Sequence, residues 1–272
     1  MEQYKWLVSG SRGFLGSGLT AQLERSSQEV IRGDRLCEYV PKVDRVVDLA
    51  AYGNTSGHAG DIYEIYRANV MRPINLIKAI QAASPDCKSI IFTSSSSVLI
   101  DKQTHYSLSK QLLEKMATKF AEELHLPIVV IRPSTVTGLG EAAARLIPKL
   151  IDSCLNGTEM PFVTAPTHDY VDVRDVVSAI LLLSQGARGL AGRVFNVSSN
   201  VCTTNQEVLE IVEAITGKKA NVKLVKSMRP YDNDKWVVDN GEMLKLGWKP
   251  EIGLAQSIQG MVEYERQRPA KI

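Results

Sequence analysis

Lys5 to Ser9, Glu29 to Arg32, Val43 to Leu49, Ser89 to Ser94 and Pro127 to Ile131 are short runs rich in apolar and β-branched residues, each followed by a break. Runs of this length suit strands rather than helices. Between them, Leu15, Leu19 and Leu23 share one face of a helix from about Leu15 to Arg25. Ile62 to Ala83 gives two helical stretches around Pro73, and Tyr106 to Leu124 reads as a long helix. A strand that runs into a helix cannot fold back as a hairpin; the crossover returns the chain to its starting edge and the next strand lies parallel. The expected fold is therefore α/β, a doubly wound parallel sheet. Its strand ends, Gly10, Asp34, Ala50, Ser94 and Arg132, would border one crevice at the carboxyl edge.

The first strand-to-helix turn is Gly10-Ser11-Arg12-Gly13-Phe14-Leu15-Gly16. Glycines in this position permit a tight turn and let the main chain approach a pyrophosphate, which then lies on the amides and positive dipole end of the following helix. That makes a dinucleotide site of Rossmann type the expected use of the crevice. Asp34, at the end of the second strand, is placed to accept hydrogen bonds from an adenosine ribose and to repel a 2′-phosphate, which favours NAD. Arg12 and Arg35 pull toward NADP, since either guanidinium can pair with such a phosphate.

Downstream, Tyr106 and Lys110 are one helical turn apart and share a face. An ammonium held beside a phenol favours the phenolate, so the pair is equipped for general acid and base work. The run Thr93-Ser94-Ser95-Ser96-Ser97 closes a buried strand just before it, offering hydroxyls to a substrate oxygen.

The remaining composition is ordinary for a soluble protein: 44% hydrophobic, 23% charged, with a formal net charge of +2. No basic patch argues for nucleic acid or an anionic membrane. Cys37, Cys87, Cys154 and Cys202 stand far apart, without metal-ligand spacing, and read as reduced thiols of a cytoplasmic protein. No metal site and no membrane span are expected. Beyond about Gly138 the pattern loosens, with short strands such as Arg193 to Val197 and Val222 to Val225. We expect a dinucleotide-binding domain over 1–137 with parts of 165–200, and a smaller C-terminal substrate lobe from 138–164 and 200–272.

Taken in order, these motifs resemble the extended short-chain dehydrogenase/reductase family, the NAD(P)-dependent nucleotide-sugar epimerases, dehydratases and ketoreductases. The resemblance spans nearly the whole chain: Asp48-Leu49-Ala50-Ala51, Asn69-Val70, Ile131-Arg132-Pro133, Asp169-Tyr170-Val171-Asp172-Val173 with Asp175, Phe195-Asn196-Val197 and Leu246-Gly247-Trp248 before Pro250. It implies that Tyr106 is the acid/base and that Lys110 lowers its pKa and holds the nicotinamide ribose. It also implies that Ser95, with Ser94 as the adjacent alternative, binds the substrate oxygen. The cofactor would lie on Gly10, Arg12, Gly13, Phe14, Leu15 and Gly16, on Asp34 and Arg35, on Leu49, Ala50 and Ala51, and against Asn69, Tyr106, Lys110 and Pro133. Thr135, His168 and Arg229, the last in Arg229-Pro230-Tyr231-Asp232, would meet the substrate. A homodimer through the helices 62–83 and 106–124 is implied as well.

Several departures stand out. The loop from Ser95 to Tyr106 is about half the family's length, with Val98-Leu99-Ile100 in place of V-Y-G, and the segment between Asp34 and Val43 is too short for the usual strand and helix. Thr135 replaces an asparagine and His168 an arginine. The serine run lacks the Asp-Glu pair of the 4,6-dehydratases, which argues against dehydration, and no Cys/His pair points to a 3,5-epimerase. The expected activity is a nucleotide-sugar 4-epimerase, with a 4-ketoreductase close behind and a non-catalytic NAD(P)-binding sensor or structural protein as the reading from another class.

Overall fold

The computed structural model describes residues 2–33, 40–53, 61–226 and 236–267. In chain order the elements are β1 (Lys5–Ser9), α1 (Phe14–Arg25), β2 (Glu29–Arg32), β3 (Arg45–Asp48), α2 (Ile62–Tyr66), α3 (Arg72–Ala83), β4 (Ser89–Thr93), α4 (His105–Leu124), β5 (Ile128–Pro133) and β6 (Thr135–Thr137). Then come α5 (Leu146–Asn156), β7 (Met160–Phe162), β8 (Thr167–Asp172), α6 (Val173–Gly186), β9 (Val194–Val197), β10 (Cys202–Thr204), α7 (Asn205–Thr216), β11 (Val222–Leu224), α8 (Gly241–Lys245) and α9 (Leu254–Gln267).

The expected doubly wound sheet is present as six strands in the order β2-β1-β3-β4-β5-β9, each neighbour parallel. Chain order reverses at β1, where β2 lies on one side and β3 on the other, so the crevice at that switch point opens between the ends of β1 and β3. Side chains alternate across the sheet with the strand period of two. Trp6 and Val8 of β1, Val47, Ile91, Val129 and Ile131 face α1 and α6, meeting Leu19, Leu23, Val176 and Ile180. Leu7, Val46, Ile90, Phe92, Ile128 and Val130 face the other way, onto Leu76, Ile77 and Ile80 of α3 and Leu113, Ala117 and Ala121 of α4. Each such side chain, fully buried, contributes on the order of 2 kcal/mol, so the sheet rather than any loop anchors the crevice.

A proline lies where the two helical stretches between 62 and 83 meet. Pro73 has no N–H to continue the ladder, and the chain absorbs this with a π-helical turn at Arg67–Met71 before α3 starts at Arg72. Asn69, buried in that turn, therefore faces inward.

A smaller lobe forms around α5, α7 and α9, which share Ile147, Leu150, Val208, Val212, Ile258 and Val262 with Phe162 and Tyr170. Thr135 to Thr137 does not prolong β5; as β6 it pairs in parallel with β8, and β8 pairs antiparallel with β10. Asp169 ties this sheet to the turn after β9 and to the segment before α8. Its buried carboxylate accepts from the amides of Ser199 (2.9 Å), Asn200 (3.1 Å) and Val238 (3.1 Å), and from the Ser199 hydroxyl (2.8 Å). Asp175 on α6 likewise accepts from the amides of Glu251 (3.1 Å) and Ile252 (3.0 Å). The Trp248 indole donates to Ser178 at 2.9 Å. Met243 and Trp248, from the last part of the chain, thus join the main sheet's core rather than that of the lobe.

Candidate active site

Gly10 adopts φ +71, in the left-handed region, and a Cβ there would lie 2.7 Å from the Ala50 nitrogen. One at Gly16 would lie 2.0 Å from the Gly10 carbonyl oxygen. The turn is closed by the Gly13 amide donating to the Gly10 carbonyl at 3.0 Å. Gly13 caps α1 without any side-chain hydrogen bond, and the first turn carries no acid. Unclaimed amides at a helix start suit an anion. Gly10, Arg12, Gly13, Leu49, Ala50 and Ala51 line an open pocket of about 360 Å³. The pyrophosphate of a dinucleotide fits this cradle in chemistry. Of the other residues assigned to it, Leu15 turns into the core and Phe14 lies against Gly140. Pro133 is buried at the end of β5. Asp34, Arg35 and Arg229 lie outside the described residues.

Asn69 is placed differently from a cofactor contact. Its amide accepts from Tyr52 N at 2.9 Å and donates to Tyr52 O at 2.9 Å and Ser109 Oγ at 3.0 Å. These bonds pin the loop after β3 to α4, so it acts on the crevice by position.

Tyr106 stands in the first turn of α4, whose start is set by a capping box: Ser107 N donates to Thr104 Oγ1 at 3.2 Å and Thr104 N to Ser107 Oγ at 2.7 Å. One turn on, Lys110 is buried and its Nζ donates to the Thr93 carbonyl at 2.8 Å, at the end of β4. The structure separates the two serines offered for the substrate oxygen. Ser94 is buried and donates to Glu114, whereas Ser95 lies near enough to the Tyr106 phenol to act on its ionisation and caps the short turn at Ser96–Leu99 by accepting from Ser97 N at 3.1 Å.

The electrostatics correct one expectation. Burial pushes the Tyr106 phenol up, against the Ser95 hydroxyl and the Arg145 charge, and Lys110 is not among the groups that lower it. The reason is geometric: Lys110 reaches past the ring, 5.8 Å from its centroid, to the Thr93 carbonyl. Burial also pushes Lys110 down, to about 8, against the favourable charges of Asp48 and Glu114.

Sequence reasoning missed the charges beneath this pair. Arg132 clasps Glu114 with two hydrogen bonds, one of 2.7 Å, and Arg72 donates to Asp48 at 2.8 Å, Ala50 O at 2.7 Å and Ser9 Oγ at 3.1 Å. Glu114 carried a readable signal, since it continues the one-turn spacing of Tyr106 and Lys110 along α4. Arg72 carried none.

On the substrate side, Thr135 is half-buried opposite Tyr170 in the β6–β8 pairing, and the His168 ring meets that of Tyr170 edge-on, 5.6 Å between centroids. Glu141 accepts from Thr137 at 2.8 Å and lies 3.4 Å from Arg145. Burial pushes the Glu141 carboxyl up. Among the described residues no cluster of His, Cys, Asp and Glu could hold a metal, and no helix is long and apolar enough to cross a membrane.

Residues 6–198 match the profile of the NAD dependent epimerase/dehydratase family. The chain belongs to that family. The low-salt glycan biosynthesis protein Agl12 of Haloferax volcanii is 24% identical over 273 residues, covering 94% of this chain and 86% of its own. The chain spans about half the length of the dTDP-D-glucose 4,6-dehydratases it also matches, 47% of the bovine enzyme. Among solved structures, MoeE5 in complex with UDP-glucuronic acid and NAD superposes with a TM-score of 0.87 at 24% identity, covering 97% of this chain and 99% of that one. The UDP-glucose 4-epimerase of Thermus thermophilus, in complex with NAD, gives 0.83 at 21% identity, with 97% and 100% covered. At these identities the likeness is one of fold.

Proposed function

We propose that the protein carries out NAD(P)-dependent oxidoreduction at a carbon of a nucleotide-linked sugar, as a nucleotide-sugar 4-epimerase. The observation that carries this reading is Tyr106 with Lys110 one helical turn on, Lys110 held on the Thr93 carbonyl at the end of the serine-bearing strand, on the same sheet edge as the glycine cradle. MoeE5 is in complex with UDP-glucuronic acid and NAD, and the Thermus enzyme with NAD, which supports the same pairing of ligands here. The cofactor, when bound, exchanges hydride with C4 of the sugar. Ser95 holds the C4 oxygen, Tyr106 accepts its proton and later returns one, and Lys110, when protonated, supplies positive charge beneath them. The cradle around Gly10, Gly13 and Gly16 takes the pyrophosphate, and Thr135, His168 and Arg229 meet the sugar nucleotide. NAD is the cofactor proposed, from Asp34. The exposed Arg12 at the pocket makes NADP its competitor.

A 4-ketoreductase is the second reading, favoured by the same Arg12 and by a phenol that burial keeps protonated, as a proton donor to a ketone must be. The test is to add UDP-, GDP- and dTDP-sugars to the purified protein and follow nicotinamide absorbance. NAD retained through turnover without net reduction supports the epimerase, and steady consumption of added NADPH supports the reductase. Tyr106→Phe should keep cofactor binding and lose turnover; undiminished turnover would remove Tyr106 from the chemistry. We also propose a homodimer through the helices 62–83 and 106–124, where Ile62 and Tyr63 of α2, Met71 of the π-helical turn, and Leu108 and Leu112 of α4 are exposed.

A further inference from the structure

A row of charges crosses the carboxyl edge of the sheet under the Tyr106–Lys110 pair: Arg72 of α3, Asp48 of β3, Lys110 and Glu114 of α4, and Arg132 of β5. Asp48 is almost wholly buried, with 3% of its surface exposed. One carboxylate oxygen, Oδ2, accepts from Arg72 at 2.8 Å, and the other, Oδ1, has no hydrogen-bond partner among the described residues. Register brings Lys110 near it: Asp48 pairs with Phe92 across β3 and β4, and Lys110 Nζ is held on the carbonyl of the next residue, Thr93, at 2.8 Å. Glu114, by contrast, is engaged on both oxygens by Arg132 and again by Ser94. We propose that Asp48 is a positioning residue, a buried negative charge beyond ion-pair distance that favours the ammonium form of Lys110 where the Thr93 carbonyl holds it, and that Arg72 sets how much of the Asp48 charge Lys110 feels. The inference rests on the proposed function only for its consequence, that the charge under the acid/base is tuned from the floor of the cofactor crevice.

Two facts fit. Of the charges acting on Lys110, that of Asp48 is the strongest, with Arg72 opposing it and Glu114 third. Arg72 also spans Ser9, Asp48 and Ala50, the ends of β1 and β3, so cradle and Asp48 share one support.

The test is an NMR titration of the full chain carrying 13Cε-labelled lysine, with the Lys110 resonance assigned through Lys110→Arg. Asp48→Asn should lower the Lys110 midpoint by about one pH unit, the effect of removing a nearby opposite charge. Arg72→Met should raise it. Simple loosening of the strand ends would admit water and move both variants upward, toward the ordinary lysine value of 10.5. A midpoint that stays put or rises in Asp48→Asn overturns the proposal. Should Asp48→Asn fail to fold, Asp48→Glu takes its place: a midpoint near that of the unaltered chain supports a charge role, and one that falls well below it refutes that role. The titration needs no turnover, so an inactive chain still reports the charge felt by Lys110, while the sugar assays judge the activity separately.

Discussion

Two glycines of α1, two positions apart, should respond oppositely to the same methyl group. At Gly16 the added Cβ would lie 2.0 Å from the Gly10 carbonyl oxygen and 2.8 Å from both the Gly10 carbonyl carbon and the Ser11 Cα. All three are backbone atoms, so nothing flexible can yield and the turn itself must move. Overpacking of this kind costs on the order of 1–3 kcal/mol. Because the displaced atoms form the cradle, that cost falls on cofactor binding, a loss of about 10- to 100-fold in NAD affinity at about 1.4 kcal/mol per decade. At Gly18 the Cβ would meet Val173 Cγ2 at 3.6 Å and Val177 Cγ2 at 3.7 Å, ordinary contact with α6. There alanine gains helix propensity of about 1 kcal/mol, which should raise Tm by about 2 °C or more. Calorimetric titration with NAD and thermal unfolding of Gly16→Ala and Gly18→Ala check both halves. A Gly16→Ala chain that binds NAD as tightly as the unaltered protein, with an unchanged Tm, would refute the account of the cradle.

Lys110, depressed from 10.5 to about 8, binds fewer protons folded than unfolded between those values. Its contribution to stability therefore rises with pH through that window, by about 3 kcal/mol in full, and is absent below it. Urea unfolding below and above the window should show Lys110→Met lacking that rise; Tyr106, pushed up by burial from 10.0, acts in the opposite sense only above that value. Asp169→Ala strips an acceptor from three backbone amides and should destabilise by about 3 kcal/mol or more in urea titration, with no change in m if folding stays two-state. Tyr63, 84% exposed on α2, is a marker for the proposed dimer: Tyr63→Glu should shift light-scattering mass from dimer toward monomer, and a chain that is monomeric before substitution removes that interface.

What was legible in the sequence is what local physics dictates. The apolar runs gave β1 and β2 at their observed bounds: β1 lies inside the sheet and is buried from Trp6 to Ser9, while β2 at the edge half-buries Val30 and Ile31 between exposed Glu29 and Arg32. The glycine turn was legible because its requirement, a backbone without Cβ, is met within seven residues. Tyr106 and Lys110 were found by helical spacing alone. Ser94 and Ser95 could not be told apart, since their hydroxyls are identical and only the distant Glu114 decides which one turns inward. Thr135 to Thr137 is not legible as a strand, because three residues carry no period and their pairing partner, β8, lies about thirty residues on.

The same division explains why the Tyr106–Lys110 pair is legible in the sequence and its charge balance is not. Helical spacing says that an ammonium lies near a phenol, but the pKa of each depends on desolvation and on charges from other elements. Here those charges come from β3, α3 and the start of α5: Asp48 and Arg72 act on Lys110, and Arg145 acts on Tyr106. None is near Tyr106 in sequence. A lysine that the fold itself depresses to about 8 does not pull a buried phenol toward neutrality merely by standing one turn away. Under the proposed function, what brings Tyr106 into range for proton transfer arrives with the bound ligands, and a free protein in which Tyr106 already titrates near neutral pH would contradict that reasoning.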